Sequence, residues 1–302
     1  STSVSTPRSA VYSVTMRSRT TVERGASGDY RWVHATRAIA PALSRWVVDL
    51  HGFVEAGTTP IRRTEFAVPY VVIVLELGPP LTFLSGTSDG SPGSHNGGFL
   101  GGVSERPATM AHTGYQEGIQ INLTPPAARL WLGCSLTEFA GGTVALHDVL
   151  PPKLRGLQER LASVPDWGKR FDVVERALIN QLAEPTLHTG VVEWSLRRIQ
   201  ARGGDQNVRE LSRELGYSQK QLNRIFREWV GVSPKMHARI VRFERLMRLL
   251  RARTDRSWAE LAAHLGFYDQ SHLHRDVRHF AGCTPRELAS LALAWPDSRG
   301  GD

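Results

Sequence analysis

Residues able to read the edges of nucleic-acid bases crowd two short stretches of the chain. In the first, Gln219, Lys220, Asn223, Arg224 and Arg227 lie within nine positions; in the second, Gln270, Ser271, His272, His274 and Arg275 lie within six. Arg and Lys can hydrogen-bond guanine, Asn and Gln can hydrogen-bond adenine, and all of them can reach phosphates. The chemistry is recognition rather than bond-making. His272 and His274 invite a metal reading, but residues two apart on a helix do not face each other, so no metal site is expected. The only catalytic pattern is Gly86-Thr87-Ser88-Asp89-Gly90, which matches G-x-S-x-G. That motif needs a helix after the serine, and the segment that follows here, SPGSHNGG, cannot form one. No enzyme activity and no cofactor are expected.

Both polar stretches sit inside one pattern written twice. Val208–Pro234 and Ser257–Pro285 each read as two short helices joined by a tight turn, a helix-turn-helix. Leu222 and Leu273, Arg224 and Arg275, Gly231 and Gly282, and Pro234 and Pro285 are each 51 positions apart. Asn207 with Glu210, Ser218 with Gln221, and Ser257 with Glu260 have capping-box spacing, and Asp269 is placed to cap the last recognition helix. Gly216 and Gly266 supply the left-handed residue that each turn needs. Val208, Leu211, Leu215, Leu222, Ile225 and Phe226 are the inward positions of the first unit, and Leu261 and Leu265 those of the second. Between the units, Pro234 opens a helix reaching Arg251, with arginines at 239, 242, 245, 248 and 251. At 1.5 Å per residue it spans roughly 27 Å, near the ~34 Å between successive major-groove windows on one face of B-DNA.

Composition agrees with two soluble parts. The 302 residues carry a formal net charge of +8. Residues 1–184 hold 17 Lys/Arg against 16 Asp/Glu, whereas residues 185–302 hold 20 against 13, so the excess lies with the repeat. A polyanionic partner for that half follows, although a solvated basic face would look the same. No apolar run is long enough to span a membrane and no secretory signal opens the chain. The two cysteines, Cys134 and Cys283, fit a reduced, cytoplasmic location.

The expected divisions are a flexible arm over 1–30 with one short strand near Val11–Val14, a sensor or dimerisation domain over 31–184, a DNA-binding domain over 185–295, and a tail over 296–302. Strand-like runs occupy Ile39–Ala42, Trp46–Phe53, Ala67–Leu77, Leu81–Leu84, Phe99–Val103 and Glu117–Leu123. Pro79-Pro80 reads as a hairpin break, Ser85–Gly98 as a long loop, and Pro125-Pro126 as a helix start. From Leu154 the period turns helical. Leu154, Leu157 and Leu161 form one stripe, and Phe171, Val174, Leu178 and Leu182 form another, suited either to the domain's own core or to a homodimer through helices 154–183. Gly190–Arg202 is the first helix of the basic half.

The stretch from about Val191 to Leu288 resembles the DNA-binding domain of the AraC/XylS family of bacterial transcription regulators. The resemblance rests on L-S-R-E-L-G-Y-S-x-x-x-L-N-R-I-F, G-V-S-P-K, the Arg239/Arg242 helix, A-E-L-A-A-H-L-G-F-Y-D-Q-S-H-L-H-R and G-C-T-P-R-E. It implies seven helices, duplex promoter or operator DNA as partner, RNA polymerase as a further one, and base contacts from Lys220, Asn223, Arg224, Gln270, Ser271, His272 and Arg275. Val277 and Leu288 replace residues that are usually Phe and Tyr in the family, both remaining apolar. More weakly, residues 31–184 are similar to the family's cupin-like sensor barrels with two trailing helices, which makes the whole an α+β chain. A small-molecule effector would then be held by aromatics such as Trp46, Phe66, Tyr70, Phe83 and Tyr115, drawn from a set that also includes Trp32, Phe53 and Trp131. The competing reading is a domain that only dimerises or binds a protein.

Overall fold

The computed structural model describes residues 10–17, 19–88, 90–181 and 187–294. An N-terminal sheet-rich domain is followed by a helical one. Its strands are β1 (Ala10–Arg17), β2 (Thr20–Ser27), β3 (Tyr30–Arg37), β4 (Val47–Ala56), β5 (Ile61–Glu65), β6 (Val71–Glu76), β7 (Thr82–Ser85), β8 (Gly93–Ser94), β9 (Gly98–Gly101), β10 (Ala108–His112), β11 (Tyr115–Leu123) and β12 (Thr143–Ala145). They form two antiparallel sheets, one ordered β1-β2-β3-β4-β11-β6-β9-β12 and the other β5-β10-β7-β8.

The side-chain period of two gives the larger sheet two different faces. One carries Ala35, Leu50, Ile73, Leu75, Leu100, Ile119 and Ile121, all buried. Against this outer face packs α4 (Trp167–Gln181), preceded by α1 (Pro125–Leu132), α2 (Leu146–Val149) and α3 (Leu157–Ala162). Gly52 is required here, because a Cβ would fall 2.1 Å from the Trp167 ring. Arg37 of β3 ties the helix down, donating to the Gly168 carbonyl at 3.0 Å and to Glu175 at 3.0 Å. The opposite face looks toward the smaller sheet, and Val74, Leu81, Phe83, Phe99 and Met110 close one end of the space between them.

Several expectations change. Residues 20–27 belong to β2 rather than to an arm, because they pair with β3 along their whole length; residues 1–9 lie outside the described residues. Pro41 starts a short 3-10 turn, Pro41–Leu43, where a strand was expected, since proline cannot donate to a ladder. The runs flanking Pro79-Pro80 make no hairpin, as β6 pairs with β9 and β11 while β7 pairs with β8 and β10. The Phe171, Val174 and Leu178 stripe is buried in its own domain at no more than 1 % exposure, so it is spent on the core and cannot also form a dimer seam. Leu182 lies outside the described residues.

Among the described residues seven helices follow: α5 (Leu187–Ala201), α6 (Val208–Glu214), α7 (Gln219–Val230), α8 (Pro234–Arg251), α9 (Trp258–His264), α10 (Gln270–Ala281) and α11 (Pro285–Ala294). Gly203 and Gly204, both at positive φ, turn the chain after α5.

Candidate nucleic-acid interface

The first unit is α6, a turn, and α7. Asn207 caps α6 by accepting from the Arg209 amide at 2.9 Å. Glu210 does not return the bond expected of a capping box, because it faces Arg202 at 3.5 Å instead. Gly216 takes φ +71°, and the Tyr217 amide donates back to the Ser212 carbonyl at 2.9 Å, which ends α6. Ser218 and Gln221 form the reciprocal box at the start of α7. Leu222, Ile225, Phe226, Trp229 and Val230 are buried beneath it. That leaves Gln219, Lys220, Arg224 and Arg227 exposed and Asn223 half-buried on the outer face.

The second unit repeats the construction. Ser257 and Glu260 box α9, and these bonds hold the Glu260 carboxyl below its ordinary range. Gly266 turns at φ +74°, and Asp269 caps α10 by accepting from the His272 amide at 2.6 Å. Leu273, Val277 and Phe280 are fully buried, so valine at 277 still serves as core. Gln270, Ser271 and Arg275 are exposed. His272 and His274 are half-buried and partly committed to packing: the ring of His272 meets Phe267 edge-on at 5.3 Å, and that of His274 meets Trp258 at 5.8 Å. Among the described residues no cluster of His, Cys, Asp or Glu could hold a metal.

What the sequence reading missed is how the two units are held. Three arginines of α8 act as internal struts. Arg239 donates to Asp276 of α10 at 2.7 Å and lies over Phe280 at 5.1 Å. Arg242 donates to the Gly266 carbonyl at 3.1 Å and covers Phe267 at 4.9 Å. Arg245 donates to the Gly203 carbonyl at 3.1 Å. Asp276 is 3 % exposed, and the separation of 37 positions between it and Arg239 leaves no local pattern to read. His237, buried in α8, is pushed down to about 4 by its burial.

The N-terminal domain touches both recognition helices at their far ends. Thr137 donates to the Arg227 carbonyl at 2.8 Å and Ser135 to the Glu228 carbonyl at 3.4 Å, so hydroxyls of another domain bond the last turn of α7, where the Arg227 carbonyl also accepts the Gly231 amide at 3.0 Å. Arg129 lies over the Trp229 ring at 5.3 Å and faces Glu228 at 3.6 Å. On α10, His279 approaches Glu105 at 3.6 Å. Arg45 pairs with Glu193 of α5, and Phe66 meets Phe243 of α8 edge-on at 6.4 Å.

The five aromatics offered as a pocket do not converge. Trp46 is buried with the Arg45 guanidinium over its ring at 4.6 Å, and Tyr70 is also buried. Phe83 is sealed between the sheets against Phe99, Phe66 faces α8, and Tyr115 stands on the surface donating to Glu117. The inner face of the larger sheet instead collects polar groups. Glu55 accepts from Arg63 at 2.5 Å and from Gln116 at 2.7 Å, with His112 at 3.5 Å. Burial raises its carboxyl, yet the bonds from His112, Arg63 and Gln116 outweigh this and hold it at about 2. Beside it, Asp49 bonds His51 and Asn122, and His51 lies 5.4 Å from His34. Burial, then His51, pushes His34 down to about 4. Trp32 Nε1 and His34 Nε2 are buried there without a protein partner. Ser88 donates its amide to the Thr143 carbonyl at 3.0 Å in a turn after β7, with β8 and no helix following among the described residues, so the nucleophile-elbow geometry is absent there.

Comparison with known proteins bears most directly on the repeat. A family model described as a helix-turn-helix domain matches residues 211–290. No curated protein matches the chain. Among solved structures, ToxT from Vibrio cholerae is similar at 10% identity and TM-score 0.48, covering 80% of this chain and 98% of that one. The C-terminal domain of AraT, a response regulator from Geobacillus stearothermophilus, is similar at 19% identity and TM-score 0.32, covering 35% and 88%. CuxR, an AraC-like transcriptional activator, is similar at 16% identity and TM-score 0.23, covering 76% and 80%. Residues 211–290 match a helix-turn-helix domain, and the two units built there, each a capped helix pair joined at a glycine, have that geometry.

Proposed function

We propose that the chain is a sequence-specific transcription regulator in which α7 and α10 of one molecule enter successive major grooves. The observation that carries this reading is the pair of capped helices whose polar N-terminal ends, Gln219 to Arg224 and Gln270 to Arg275, are free of the sensor domain that grips their other ends. Lys220, Asn223, Arg224 and Arg227 supply direct contacts in the first unit, and Gln270, Ser271, His272 and Arg275 in the second. Such a protein works in the cytoplasm, where it meets promoter DNA and RNA polymerase. Footprinting on DNA selected by the protein tests the reading: protection of two blocks on one face is expected, and no protection of any selected duplex contradicts it.

The N-terminal domain is proposed to hold a small polar molecule on the inner face of its larger sheet. Buried groups left without partners are costly, and Trp32 Nε1 and His34 Nε2 are two such groups side by side on β3. A hydrogen-bonding ligand there would satisfy both, and the contacts from Ser135 and Thr137 to α7 would carry its effect to the DNA. Thermal melting across a panel of metabolites checks this, because a molecule bound only by the folded state raises the melting temperature. A rise that disappears in Trp32→Phe is expected; a rise unchanged by that substitution would move the ligand elsewhere. If no metabolite raises it, the domain is an interaction module.

A further inference from the structure

The two turns are not the same length. Gly216 and Gly266 are 50 positions apart, whereas the helix caps Ser218 and Asp269 are 51 apart, so the second turn holds one residue more. Tyr217 and Phe267 both follow their glycines and pack on the core. The additional residue is Tyr268, and it is 93% exposed, the most exposed large hydrophobic side chain among the described residues. Its neighbours fix it from both sides. Phe267 is 6% exposed and roofed by the Arg242 guanidinium, while Asp269 is bonded to the first turn of α10.

A tyrosine that buries almost none of its ring, on a backbone pinned at either end, loses little freedom when a partner covers it. It stands two positions before Gln270 and three before Ser271, the exposed residues proposed to enter the groove, and the Arg242 guanidinium covers its neighbour Phe267 at 4.9 Å. A residue just outside the N-terminus of a recognition helix meets the rim of the groove, where tyrosine hydroxyls bond phosphates and so set register rather than read sequence. We infer that Tyr268 is a DNA-backbone contact, its ring against a deoxyribose and its hydroxyl donating to a phosphate at the edge of the second unit's block. This rests on the proposal that α10 enters DNA. It adds a positioning contact that the first unit, lacking the additional residue, does not have.

The test is binding of the full chain, its Tyr268→Ala variant and its Tyr268→Phe variant to a duplex selected by the parent protein and to a scrambled duplex. Tyr268→Ala is expected to weaken both by ~10-fold with an unchanged melting temperature, since the ring supports nothing in the fold. Tyr268→Phe is expected to fall between alanine and the parent. DNA should also protect Tyr268 from nitration, read by mass spectrometry of the peptide. If the parent binds but Tyr268→Ala matches it on both duplexes, the inference falls and the reading of the domain stands. Weakening confined to the selected duplex would mark a base contact and overturn the backbone assignment. A parent that binds no duplex removes both.

Discussion

The two helix-turn-helix units share a plan but are secured differently. In the first, α7 presents Gln219, Lys220, Asn223, Arg224 and Arg227, and its C-terminal carbonyls are held by hydroxyls of the N-terminal domain. In the second, α10 has its two leading histidines half-committed to Phe267 and Trp258, and it is held from within by Arg239 through the buried Asp276. The unit with more free polar groups is hydrogen-bonded through its carbonyls to the N-terminal domain, whereas the unit with fewer meets that domain through His279 and Glu105 and is locked to the bridging helix. On this account the first unit carries most of the sequence discrimination and most of the regulation, while the second positions.

The largest effect should come from breaking the second unit's lock. Asp276→Ala leaves Arg239 half-buried without its carboxylate, and losing one partner of such a pair costs about 3 kcal/mol. By contrast Glu228→Ala, which removes a more exposed pair in the first unit, should cost about 0.5 kcal/mol. Denaturant titration of both variants makes the comparison, and similar losses would show that the two units are secured alike.

Acid should act on the shared element instead. His237 in α8 is neutral in the fold because burial lowers it to about 4. The unfolded chain, near its ordinary 6.5, takes up the proton first, so the stability contributed above pH 6.5 is lost as pH falls toward 4. Between pH 7 and 4.5 the parent should lose about 2 kcal/mol more than His237→Phe. Equal pH profiles in thermal melts would remove His237 from the account.

On DNA the order reverses in favour of the first unit. Arg224→Ala should cost about 2 kcal/mol of discrimination at particular base pairs, and Arg275→Ala about half as much. Equal losses, measured by competition among single-base variants of a selected duplex, would erase the proposed division of labour. The smallest effect on DNA belongs to the clasp: Thr137→Val removes one hydroxyl from the Arg227 carbonyl, about 0.5 kcal/mol. It should weaken DNA binding at the first unit's block and leave the second block unchanged, as read by footprint titration.

Much of the repeat was legible because its determinants are local. Ser218 with Gln221, Ser257 with Glu260 and Pro234 at a helix start are near-neighbour rules, and α8 runs from Pro234 to Arg251 as its period requires. Asn207 with Glu210 had the right spacing but lost its glutamate to Arg202, a competitor from the preceding helix that spacing cannot show. The sheets were harder. β3, β5 and β10 pass unmarked because their inward positions carry Trp32, His34, Arg63 and His112 rather than an apolar run, so the alternation that signals a strand is blurred. The same polar positions are the candidate ligand site, and aromatic content alone pointed elsewhere, to Trp46, Phe66 and Phe83, which are packing residues. The Arg239–Asp276 pair joins positions in different helices and has no signal along the chain.

Sequencing the duplexes that the full chain enriches from a random pool tests the central claim most directly. The account predicts two blocks whose centres lie about 10 base pairs apart, with the block assigned to α7 by Arg224→Ala the more strongly constrained. Enrichment of one block alone, of two blocks at variable spacing, or of no sequence would contradict it.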